Sequence, residues 1–169
     1  MRPPLDHIFI RSARDDAKYR RRPGIRSDRL LKPDASPAGG AFGYVRSGGT
    51  QPHQGWDIYA PVNAPIRAIS DGTIVEAARG SKLGRYVVLR FTHGARQLYA
   101  VYAHLCQVSV AVGQVVTEGQ VLGGTGTDGN AWGTPPHLHF EIRTTPNYSG
   151  GLNNRVSPGS ILGGHYGLH

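Results

Sequence analysis

The run His137-Leu138-His139-Phe140-Glu141-Ile142-Arg143 alternates polar and apolar side chains without a break, and that is the period of a β-strand. Leu138, Phe140 and Ile142 are directed into a core while His137, His139, Glu141 and Arg143 take the other face, so the pattern predicts a half-buried strand. Further strand-like runs cover residues 65–69, 72–77, 86–91, 97–103 and 108–112, and no comparable stretch carries helical periodicity. The 24 glycines and 12 prolines supply the turns and bulges that many short strands need. The predicted fold is all-β and antiparallel, and 169 residues suffice for one domain with a real core.

Far upstream, His53-Gln54-Gly55-Trp56-Asp57 sets an imidazole and a carboxylate four residues apart. Gly55, Ala60-Pro61 and Ser47-Gly48-Gly49-Thr50 argue against a helix there, and an extended or looping chain also brings positions four apart to one side. The two segments together offer two imidazoles and a carboxylate suited to zinc, with an imidazole to spare. Three protein ligands with an open fourth position is the ligand count of a catalytic zinc site, whereas structural sites are closed by four. One histidine alone reads best as a surface or hydrogen-bonded core residue; the combination reads as a zinc hydrolase.

The stretches Ala41 to Arg46, His53 to Pro61, Ala68 to Val75, Leu98 to Leu105, Val112 to Gly123 and Pro136 to Arg143, in this order, resemble the catalytic domain of the lysostaphin-type zinc endopeptidases, which cut peptide cross-links in bacterial peptidoglycan. The resemblance implies an antiparallel barrel-sandwich hybrid over residues 40–169, preceded by a basic extension over residues 1–39. Residues 112–122 resemble the hairpin of such folds, a feature shared with biotinyl and sugar-phosphotransfer domains that lack the zinc constellation. It further implies that His53, Asp57 and His139 bind one Zn2+ per chain, with His104 and His137 beside the ion as catalytic residues. Zinc lowers the pKa of water toward about 7 and polarises a carbonyl, and either histidine suits the proton transfers. Which of the two is the base stays open.

The expected substrate is peptidoglycan. Cleavage between D-alanine and a diamino acid is favoured over glycyl-glycine cleavage, because the net charge of +8 suits acidic stem peptides. The alternatives are a glycyl-glycine endopeptidase, a non-catalytic wall-binding or amidase-activating relative, and a basic nucleic-acid-binding module. The loop 126–136 is longer than the family pattern, and Pro135 stands where glycine is common, with Trp132 expected in a cleft wall. Tyr44 and Arg46 are also candidates for substrate contact, against packing and an ordinary salt bridge respectively. Arg143 carries the same two readings as Arg46, and Tyr99 and Tyr102 the same two as Tyr44. Glu141 reads as a partner that supports the site rather than as the base, since H-E-x-x-H is absent. His93 sits at a turn, and His7, His165 and His169 lie outside the matching stretches.

Residues 1–32 hold ten Lys or Arg and four Asp, so most of the positive charge sits in this arm, densest at Arg20-Arg21-Arg22. Beside such a domain the arm is read as contacting envelope polymers or packing, not nucleic acid. Ile8-Phe9-Ile10 is a possible anchor, and Ser36-Pro37-Ala38-Gly39-Gly40 reads as a linker. No apolar stretch of signal-peptide or membrane-spanning length occurs, so action in the periplasm or wall implies delivery by a phage or a contact-dependent secretion system, as for an antibacterial effector. A producing cell would then need an immunity or inhibitor protein. The lone Cys106 allows no internal disulfide and reads as a small core residue.

Overall fold

A computed structural model describes Met1, Arg2, Pro4, Leu5 and residues 40–162. The basic cluster, the Ile8-Phe9-Ile10 patch, most of the linker, and His7, His165 and His169 lie outside the described residues. In chain order the strands are β1 (Gly43–Arg46), β2 (Gln51–His53), β3 (Trp56–Tyr59), β4 (Pro65–Arg67), β5 (Gly72–Gly80), β6 (Gly84–His93), β7 (Arg96–Leu105), β8 (Gln107–Val108), β9 (Val115–Val116), β10 (Val121–Gly124), β11 (His137–Arg143) and β12 (Arg155–Val156), followed by a short helix α1 (Pro158–Leu162).

All the pairings are antiparallel. The largest sheet runs β12-β11-β7-β6-β5-β9 with β3 also on β11; β4, β10 and β8 form a second sheet, and β1 with β2 a third. Ile58, Ile74, Leu89, Tyr102, Leu138 and Phe140 from the first sheet meet Ile66 and Leu122 from the second in one core. Leu5 joins this core at 2% exposure. The start of the chain is held there by Arg2 N–H on the Ile69 carbonyl and Arg67 N–H on the Pro4 carbonyl, at 3.0 and 2.8 Å.

The structure departs from the sequence expectation in three places. Strand 108–112 shrinks to Gln107–Val108. The two arms of the expected hairpin at 112–122 do not pair with each other: β9 joins β5, and β10 joins β4 and β8. Val116 and Leu122 thereby enter the core from different sheets. Thirdly, β11 is buried on both faces along its whole length. The 144–155 segment returns over its polar side, pinned by Gln54 Nε2 on the carbonyls of Ser149 and Gly151.

Candidate active site

β11 is sandwiched between β3 and β7, and its register sets His139 directly opposite Asp57 on one side and Ala103 on the other. His53 ends β2, and the chain then crosses β11 at Gly55, where a Cβ would overlap the Phe140 carbonyl oxygen. Glycine is what lets His53 and Asp57 lie on the same side as His139.

His104 arrives by a different route. Leu98, Ala100 and Tyr102 of β7 point into the core, and strict alternation sends His104 after them. Between the pairs Arg85↔Leu105 and Val87↔Tyr102, however, Ala103 and His104 together oppose Tyr86, so β7 bulges. His104 takes φ 64° there, with its N–H on the Leu83 carbonyl at 2.9 Å. The bulge reverses its side chain, and Leu105 enters the core in its place. A left-handed non-glycine residue costs about 1–3 kcal/mol and persists where the surroundings over-determine it.

The four imidazoles share one orientation logic. His53 Nδ1 donates to the Ala41 carbonyl at 2.8 Å, His104 Nδ1 to the Asp128 carbonyl at 2.8 Å and His137 Nδ1 to the Pro135 carbonyl at 2.9 Å. In each, Nε2 is then the acceptor nitrogen. His139 is reversed: its Nε2 faces the Glu141 carboxylate at 3.0 Å, leaving Nδ1 for the cluster. Fixing one ring nitrogen as donor fixes the tautomer and orientation of the other.

His53 Nε2, His139 Nδ1 and Asp57 Oδ1 then converge, at 3.2 Å between the nitrogens and 3.1 and 2.8 Å from each to the oxygen. Tetrahedral ligands bonded to zinc at about 2.0–2.1 Å lie about 3.3 Å apart, so this triangle and its two-nitrogen, one-oxygen donor set fit a zinc ion. It is the one such group of three donors among the described residues. Asp57 Oδ2 is taken by Arg46 Nη2 at 2.6 Å. Burial opposes ionisation of Asp57, but His53, His137 and His139 outweigh it and hold the carboxyl well below its ordinary range. Burial, reinforced by His137 and His139, pushes His104 down to about 3, so it stays neutral. Burial also opposes charge on His139, yet its hydrogen bonds to Asp57 and Glu141 raise it to about 9 when no cation sits beside it.

Glu141 is fully buried, with Oε2 at 2.7 Å from Arg143 Nε and 2.8 Å from Arg155 Nε. Both arginines therefore spend charge on an internal pair. A cleft of about 670 Å³ opens over the cluster, bordered by Arg46, Lys82, Asn130, Thr134 and Tyr148.

Of the expected substrate residues, Arg46 borders this cleft, but it also ion-pairs with Asp57. Tyr44 is exposed and is not among the lining residues. Trp132 is 84% exposed and borders a neighbouring hollow with Arg79 and Asp128, because the chain turns outward at Trp132 and Gly133. Tyr102 is fully buried and donates no cleft contact; its hydroxyl accepts the Ile69 N–H at 3.1 Å. Arg155, Lys82 and Tyr148 went unrecognised in the sequence, where nothing distinguishes them from other polar residues.

Residues 51–158 match the profile of peptidase family M23. The chain belongs to that family. M23 members are zinc metallopeptidases, and the His-Asp-His cluster falls within the matched span. The M23 chain is similar to the glycyl-glycine endopeptidase ALE-1 of Staphylococcus capitis, at 39% identity over 97 residues, 54% of this chain and 25% of that protein. It is also similar to the peptidoglycan DD-endopeptidase ShyA of Vibrio cholerae, at 36% identity over 91 residues, 54% of this chain and 20% of that one. It thus spans a quarter or less of the length of these relatives. Among solved structures, the catalytic domain of lysostaphin from Staphylococcus simulans superposes with TM-score 0.59 at 31% identity, covering 73% of this chain and 88% of that one.

Proposed function

We propose that this M23 chain is a zinc-dependent endopeptidase of peptidoglycan cross-links, acting on the bond between D-alanine and a diamino acid. The observation that carries the reading is the pinning of four imidazoles so that three donor atoms meet while two further Nε2 atoms face the same cleft. A wall-binding relative without activity has no use for that arrangement.

His53, Asp57 and His139 hold the ion, one per chain. When bound, zinc supplies Lewis acidity at a carbonyl and acidifies water toward a pKa of about 7. Arg46 holds Asp57 Oδ2 and leaves Oδ1 toward the cluster. Glu141 fixes the His139 ring, itself held by Arg143 and Arg155. His104, neutral and aimed by the Asp128 carbonyl, takes a proton from the attacking water. The proton that His104 takes up is delivered to the nitrogen of the leaving amine as the C–N bond breaks, with His137, its ring 5.0 Å from that of His104, beside that path.

The cleft favours the diamino acid bond over a glycine bridge. Its lining holds the cations Arg46 and Lys82, and Asp57 is its one carboxylate among the described residues. Purified sacculi of the diaminopimelate type and of the glycine-bridged type, digested with and without chelator, test the reading. Chelator-sensitive release of monomeric stem peptides from the first is expected. Preferential cleavage of the second would reassign the bond, and no release from either would overturn the reading.

A further inference from the structure

Lys82 stands on the turn between β5 and β6 at the rim of the cleft. Its carbonyl accepts the Asn130 N–H at 3.0 Å, and that of its neighbour Leu83 accepts the His104 N–H at 2.9 Å. The backbone carrying Lys82 is therefore clamped to the strained residue that faces the cluster. Its ammonium lies 5.7 Å from the centre of the Tyr148 ring, which closes the same side of the cleft. Arg143 and Arg155 also approach this ring, at 5.5 and 5.6 Å, so three cations gather around one aromatic ring.

The two arginines share Glu141, and Arg46 is engaged by Asp57. No carboxylate among the described residues pairs with Lys82. An ammonium steered by an aromatic face, next to two further positive charges and without an anion of its own, is a receptor for an anion.

The substrate class supplies one. Where an amide joins D-alanine to a diamino acid, the carbon bearing the leaving nitrogen can also bear a free carboxylate, whereas a glycine bridge has no ionised group beside the scissile bond. We infer that Lys82, seated against Tyr148, binds a free substrate carboxylate flanking the scissile amide, and so makes the cleft selective for anionic stem peptides. This rests on the peptidoglycan endopeptidase reading above.

Two synthetic cross-linked muropeptides that differ only in that group, carboxylate against carboxamide, separate the two ideas. For the zinc-loaded protein kcat/KM favours the carboxylate dimer, and in Lys82→Gln the ratio between the dimers falls about tenfold, through KM. Lys82→Arg restores most of the ratio, and Tyr148→Leu lowers it part of the way. Zinc content and melting temperature of each variant report folding. A ratio that is the same in the parent protein and in Lys82→Gln overturns the role of Lys82 while leaving the endopeptidase intact. Failure of the parent protein to cut either dimer overturns the assignment of the bond between D-alanine and a diamino acid, on which the role of Lys82 rests.

Discussion

The two faces of β11 are buried alike and are stabilised by opposite means. On one, Leu138, Phe140 and Ile142 lose their surface to the core, and what matters is volume and contact area. On the other, His137, His139, Glu141 and Arg143 are just as hidden, and what matters is that opposite charges meet and that each ring is pinned through one nitrogen. Burial alone therefore does not mark core. The polar face is a second interior, built around a group of converging donors, and a single missing partner there leaves a stranded charge.

The comparison breaks most visibly at the cluster itself. Asp57→Ala and His139→Ala lose the metal and reduce activity to background, whereas His104→Ala and His137→Ala lose about 10²–10⁴-fold in rate but keep much of the zinc. Zinc content with kcat/KM on sacculi checks this, and equal metal loss in all four overturns the division of roles. Next, Glu141→Ala and Phe140→Ala each destabilise by about 3–5 kcal/mol in denaturant melts, one by stranding two buried guanidiniums and the other by opening a cavity. Only Glu141→Ala also weakens zinc affinity, by about 10–100-fold, because only that residue holds the ring of His139, proposed as a zinc ligand.

A smaller effect sharpens the electrostatic half. His53 and His104 lie below their ordinary range because burial disfavours their charged forms. Below about pH 6.5 the unfolded chain takes up protons there that the folded, metal-free protein does not, so stability present above that pH is lost on acidification. For each histidine the slope reaches at most about 1.4 kcal/mol per pH unit. His139, raised to about 9, is protonated in both states below 6.5, and Glu141, lowered to about 2, is ionised in both above 4.5, so neither contributes between those limits. Melting temperatures from pH 6.5 to 4.5 fall for the metal-free protein, and fall less for His104→Ala. Smallest of all, Trp132→Ala changes stability by no more than about 0.5 kcal/mol, since its ring is almost wholly in solvent.

Much of this was legible in the chain. The alternation in 137–143 gave the strand, its ends and the side on which each residue lies, because side-chain parity is a local property. The breakers around His53 correctly excluded a helix, and the structure has two short strands there. His104 was reachable by resemblance alone: parity directs it into the core, and the bulge that turns it round depends on the partner strand β6. Lys82, Tyr148 and Arg155 were invisible for a related reason, as each matters through a neighbour distant in sequence.

The sequence by itself determined the all-β class, the two-faced β11 and the residue types able to hold a metal, since periodicity and donor chemistry need no knowledge of neighbours. Tertiary structure decided which ring nitrogen faces the cluster, that the polar face is sealed, and which cleft cation meets no carboxylate among the described residues. Those depend on carbonyls, carboxylates and rings brought close by sheet pairing, and distance in space is not written in any local pattern.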